Sequence, residues 1–114
     1  MSKFAVVVLA DTQTEEGFGR VFNALTAVRQ LSEAGNEVSL YFDGTGTRWI
    51  EVLSDDKHPA HGLYTLVSNH LVAACGACAD FFGAKAGVAR LGKLAENEVD
   101  YQEIVATGSQ VMTF

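Results

Sequence analysis

An unbroken apolar run, Phe4-Ala5-Val6-Val7-Val8-Leu9-Ala10, is followed after a polar loop by apolar residues at helical spacing, Phe18, Val21, Phe22, Leu25, Val28 and Leu31. The run is rich in β-branched valine and does not alternate, the pattern of a central parallel strand covered on both faces. The helical stretch runs from about Gly17 to Ala34, and Gly35 supplies its stop. A strand followed by its crossover helix commits the chain to an α/β architecture with right-handed connections.

The rest of the chain repeats that grammar. Glu37 to Asp43 alternates, with Val38, Leu40 and Phe42 on one face, and Gly44-Thr45-Gly46-Thr47 breaks this second strand before a short helix from about Arg48 to Leu53. Leu63, Leu66 and Val67 suggest another short helix, and a third strand follows at about His70 to Ala74. The helix after Cys75 is expected to reach about Lys85, with a short strand at Val88 to Leu91 in the ambiguous stretch from Gly87 to Asn97. Val99 to Thr107 reads as helix and Gln110 to Phe114 as a final strand. Residues 1–114 are therefore expected to form a single domain, a three-layer α/β sandwich of about five mostly parallel strands with helices on both faces.

Composition narrows the function. A hydrophobic content of 48% with one proline suits a well-cored domain, not a disordered chain. The net charge of −6, with no basic cluster, argues against a nucleic-acid partner, because nothing would displace counterions from a phosphate backbone. No apolar stretch approaches the roughly 18 residues of a membrane span. The Phe4 to Ala10 run is preceded by one lysine and followed by Asp11-Thr12-Gln13-Thr14-Glu15-Glu16, without the cleavage site of a signal peptide.

The two cysteines, Cys75 and Cys78, are too few and too close for a secreted disulfide framework, which points to a reducing, cytoplasmic setting. They fall where the third strand hands over to a helix, and there unpaired N–H groups can stabilise a thiolate while the C-x-x-C spacing lets one thiol resolve the other. In an open α/β sheet the ligand crevice lies beyond the carboxyl ends of the strands. Asp11 after strand one and Asp43 and Gly44 after strand two share that rim with the cysteines, and Arg20 and Arg48, near helix starts, are candidates to hold an anionic ligand. The blander reading makes both cysteines small buried hydrophobes. Gly17-x-Gly19 and Gly44-x-Gly46 do not complete a nucleotide-binding loop, and no cofactor is expected. His58-x-x-His61 with Cys75-x-x-Cys78 has the composition of a Cys2His2 zinc site, but solvated histidines are the common case in such a loop, and no metal is assigned.

Taken in order, Phe4 to Ala10, Asp11, the long helix ending Leu31-Ser32-Glu33-Ala34-Gly35, Glu37 to Gly44, Cys75-Gly76-Ala77-Cys78 and Val111-Met112-Thr113-Phe114 resemble the DsrE/DsrF-like family, which includes TusD-type sulfur-relay proteins. The resemblance covers nearly the whole chain. It implies a cytoplasmic, oligomeric α/β protein in which a cysteine at a strand end carries sulfur as a persulfide. The family motif is a cysteine eight residues before a glycine, and Cys75 stands eight before Gly83. Single-cysteine carriers of the family usually show Arg-Gly where this chain has Phe82-Gly83.

The expected function is that of a sulfur carrier or persulfide sulfurtransferase, with Cys75 as the carrier and Cys78 resolving or protecting it. Its partners would be sulfur donor and acceptor proteins or small persulfides, and further copies of itself. The rivals are a dithiol oxidoreductase using the same pair, and a non-enzymatic metal- or small-ligand-binding module using His58, His61 and the cysteines.

Overall fold

The computed structural model describes residues 1–91, 93–95 and 97–114. Four parallel strands, β1 (Lys3–Val8), β2 (Glu37–Phe42), β3 (Leu71–Ala74) and β4 (Gln110–Thr113), form one sheet in the order β3-β2-β1-β4. The helices are α1 (Glu15–Glu33), α2 (Trp49–Leu53), α3 (His61–Val67), α4 (Gly76–Phe81), α5 (Lys85–Arg90) and α6 (Tyr101–Ala106), with 3-10 turns at Gly44–Arg48 and Ser68–His70. No helix among the described residues is long and apolar enough to cross a membrane.

The sheet carries helices on both faces, as the strand pattern predicts. Ala5, Val6, Val7 and Val8 of β1 are all buried, which is why this strand reads as a continuous apolar run. On one face Val21, Ala24, Leu25 and Val28 of α1 pack with Val6, Val8, Leu40, Phe42, Trp49, Ile50 and Leu53 in the main core. The other face is thinner: Ala5, Cys75, Val99 and Ile104 form a small cluster against which Tyr41 and Cys78 pack.

The strand expected at Val88 to Leu91 is not there. Lys85–Arg90 is helical, and only Val88 and Gly87 of that segment are buried. Alanine at 86 and 89, flanked by lysine and arginine, favours helix, and a helix needs only one apolar position to face the core. What remains of a fifth strand is a parallel bridge between Ala74 and Leu94, in which the Ala74 N–H donates to the Lys93 carbonyl and the Ala95 N–H to the Ala74 carbonyl. It caps the outer edge of β3. Gly92 and Glu96, within the ambiguous stretch, lie outside the described residues.

The helix after Cys75 is also shorter than its composition suggests. Gly83 adopts φ +75°, a left-handed conformation that glycine takes without strain, and the Ala84 N–H turns back to the Ala79 carbonyl. α4 thus ends at Phe81, four residues before Lys85.

Candidate functional site

The site is set by the register between β2 and β3. Leu40 pairs with Leu71 but Tyr41 pairs with Ala73, so one extra residue enters β3 and Ala74 faces Phe42. The Cys75 N–H then donates to the Phe42 carbonyl, 2.9 Å away, as the last rung of the ladder. Cys75 therefore leaves the sheet beside Asp43, where an unbroken register would have put Ala74. Bulges of this kind commonly re-aim a side chain at a strand end.

Asp43, 9% exposed, opens the 3-10 turn, and one carboxylate oxygen accepts from the Gly44 N–H at 2.8 Å. Its second oxygen accepts the Tyr101 hydroxyl at 2.6 Å. Cys75, 1% exposed, caps α4, and its Sγ accepts from the Cys78 N–H at 3.3 Å. Cys78 is half-buried, and both thiols are free. One donor atom each from Asp43, Cys75 and Cys78 lie within 4.8 Å of one another. Among the described residues this is the group of histidine, cysteine, aspartate and glutamate donors close enough to converge on one point.

The protons in this cluster are unevenly held. Burial pushes the Cys78 thiol up, and hydrogen bonds to Cys75 and Asp43 hold its proton, so that its pKa is raised to about 12. Burial likewise pushes Tyr101 up, reinforced by its bond to Asp43. For Asp43 burial acts upward too, but hydrogen bonds from Tyr101, Cys78, the Gly44 N–H and Cys75 outweigh it and hold the carboxyl below its ordinary value. At neutral pH Asp43 is a carboxylate ringed by donors, and Cys78 is a protonated thiol.

Of the rim residues anticipated from sequence, Asp43 and Gly44 join the cysteines. Asp11 and Arg48 instead pair with each other, Arg48 Nη1 lying 3.0 and 3.2 Å from the two Asp11 oxygens. Arg48 Nε also donates to the Phe82 carbonyl at 3.0 Å, and the guanidinium lies over the Phe82 ring, 5.6 Å from its centroid. This clamp ties the loop after β1 to the end of α4, and it occupies the arginine that the sequence offers as an anion holder. Burial pushes Asp11 up, but the Thr12 N–H and Arg48 outweigh it and hold the carboxyl low. Arg20 pairs with Glu16 one turn away on the exposed side of α1.

The histidines serve the other face. His58 accepts from the Ala60 N–H and packs its ring against Phe18 and Trp49, and His61 Nδ1 lies 2.8 Å from the Leu53 carbonyl. A Cys2His2 site is not assembled among the described residues. Packing explains one glycine of each pair: a Cβ at Gly17 would collide with the Asp11 carbonyl and one at Gly46 with the Val8 carbonyl, while Gly44 takes a φ of +55° and Gly19 faces open space. Tyr101 is the site residue that sequence reading misses. It lies 58 residues from Asp43 and carries no local motif; only the placement of α6 brings the two together.

No family model matches the chain, and no curated protein matches it. Among solved structures it is similar to a conserved protein of unknown function from Bacteroides thetaiotaomicron, with a TM-score of 0.61 and 12% identity over 99% of this chain and 95% of that one. At that identity the likeness is one of fold.

Proposed function

We propose that the chain is a cytoplasmic sulfur carrier, a persulfide sulfurtransferase of the DsrE/DsrF-like type, acting through Cys75. The observation that carries this reading is the convergence of Cys75, Cys78 and the Asp43 carboxylate at the carboxyl end of a parallel sheet. The Cys75 thiol releases its proton to solvent, and the resulting thiolate attacks the outer sulfur of a donor persulfide, R–S–S–H. The donor S–S bond breaks, R–S⁻ leaves and takes up a proton, and Cys75 holds the sulfur as Cys75–S–S–H, with no net redox change. An acceptor thiolate then attacks that outer sulfur and leaves with it, restoring the Cys75 thiolate. Cys78, whose N–H donates to the Cys75 sulfur, is the adjacent thiol placed to resolve the adduct. If Cys78 attacks the inner sulfur instead, hydrosulfide departs and a Cys75–Cys78 disulfide forms, which an external dithiol reopens.

Incubating reduced, metal-free protein with a small persulfide donor tests this. Intact mass should rise by one sulfur atom per chain and fall back on adding a dithiol reductant. A mass that never changes overturns the proposal, and a loss of two hydrogens in wild type with no sulfur adduct on Cys78→Ser, where the internal disulfide cannot form, favours dithiol oxidoreduction.

The carrier is proposed to work as a homo-oligomer. Val72 on β3 and Val111 on β4 are exposed by 52% and 38%, on a face that α6 covers only in part, and such surface is suited to a second copy. Light scattering at micromolar concentration should give a mass that is a multiple of 12.2 kDa; the monomer mass at every concentration would exclude assembly.

A further inference from the structure

We infer that Asp43, Cys75 and Cys78 form a binding site for a zinc ion, with three protein ligands and a fourth position left open. This goes beyond sulfur transfer and does not rest on it. Two sulfurs and one carboxylate oxygen are a donor set for a borderline-soft ion: thiolates disfavour calcium and magnesium, and a carboxylate in place of a third thiolate favours zinc over copper(I). Three protein ligands with an open position is also the arrangement in which zinc takes an exchangeable ligand.

The geometry is close to what zinc needs. Bond lengths of about 2.3 Å to sulfur and 2.0–2.2 Å to oxygen in a tetrahedron separate the donors by roughly 3.5–3.8 Å. The three donor atoms already lie within 4.8 Å of one another, so the ligands need close by only about 1 Å to reach that separation.

The surroundings are those of a built ligand set. A metal-bound carboxylate is ordinarily oriented by further hydrogen bonds, and Asp43 receives one from the Tyr101 hydroxyl and one from the Gly44 N–H. Each carboxylate oxygen has two lone pairs, so neither bond uses up its capacity for a metal. The Cys78 N–H does the same service for the Cys75 sulfur. Ala5, Val99 and Ile104 pack around Cys75 and keep the inner side of the site dry, while half-buried Cys78 marks the side open to an entering ion. Binding is balanced by protons: each thiol that becomes a ligand releases one to the buffer, and the ion gains two Zn–S bonds and one Zn–O bond with no change of oxidation state. Zinc and sulfane sulfur would therefore compete for the Cys75 sulfur.

Cobalt(II) is the probe, because thiolate coordination to it produces a charge-transfer absorption in the near ultraviolet. Titrated into the reduced full-length chain, it should raise that absorption to saturation at one ion per chain, and zinc should then displace it. Cys78→Ser and Cys75→Ser should lose the band or most of it. Tyr101→Phe, which leaves every ligand in place, should weaken affinity by roughly 10- to 100-fold, and Asp43→Asn should weaken it by at least as much. Cobalt that binds wild type without a charge-transfer band overturns the inference. So does a band whose affinity is the same in Asp43→Asn and Tyr101→Phe as in wild type, since it would then report a dithiol acting without the carboxylate. The persulfide experiment on metal-free protein separates the two proposals: loading without cobalt binding removes only the zinc site, and cobalt binding without loading removes only the sulfur carrier.

Discussion

Cys75→Ser should abolish sulfur loading, while Cys78→Ser should load and hold the adduct longer than wild type. Serine at 75 keeps an acceptor for the Cys78 N–H and nearly the same volume in the small cluster with Ala5, Val99 and Ile104, so the fold should survive. Its hydroxyl has no thiolate to offer at neutral pH, and exchange with a persulfide requires one. Cys78 does not substitute, because burial and its bond to Asp43 still favour its protonated form when Cys75 is gone. Serine at 78 removes the one neighbour able to attack the inner sulfur of Cys75–S–S–H, and hence the internal route by which hydrosulfide is lost. Intact mass against time for the three proteins gives the comparison. Loading that persists in Cys75→Ser and disappears in Cys78→Ser would make the half-exposed thiol the carrier and reverse the assignment.

The fold was legible in the sequence wherever a single segment carried its own period. Phe4 to Ala10 and Phe18 to Leu31 bury most of the residues their spacing marks, because β1 is covered on both faces and α1 on one; Leu9 and Phe22, at the edge of each stripe, stay exposed. The misreading at Val88 to Leu91 arose where one valine and one leucine among alanine and glycine are compatible with either period, and the packing of α5 decides between them. Gly83, in the left-handed region, stops the helix after Cys75 at Phe81, short of the Lys85 that its composition predicts.

The candidate site was legible in part, and for a definite reason. Strand ends in a parallel sheet lie on one edge, so Asp43 and Cys75 could be placed on the same rim from strand order alone. Their direct contact depends on the extra residue in β3, and no local pattern announces it. Tyr101 and the Asp11–Arg48 clamp are side-chain pairings across 58 and 37 residues, set by where crossovers land. Arg48 is a cation at the rim, and the carboxylate it meets, that of Asp11, belongs to the chain itself.

Trp49→Ala should cost about 3–5 kcal/mol of stability, the range for truncating a buried aromatic residue, and the loss should reach the site at the rim. Trp49 is 2% exposed and packs with Phe18 and His58, so its ring fills the space between α1 and the start of α2. Its indole N–H also donates to the Ala10 carbonyl at 2.8 Å, which fastens the loop after β1. Alanine leaves a cavity and an unpaired carbonyl together. Against a total stability of roughly 5–15 kcal/mol, that is a large share. For a domain of this size about 4 °C of Tm accompanies each kcal/mol, so the melting temperature followed by circular dichroism should fall by roughly 12–20 °C. Trp49→Phe separates the two contributions: it keeps most of the packing and loses the hydrogen bond, and should cost about 1–3 kcal/mol. The neighbouring Arg48 holds Asp11 and the Phe82 carbonyl, so displacing Trp49 also loosens the clamp over the end of α4. Trp49→Ala should accordingly slow persulfide loading at temperatures where the variant is still folded. A variant as stable as wild type would mean that the ring fills space the core can close without it.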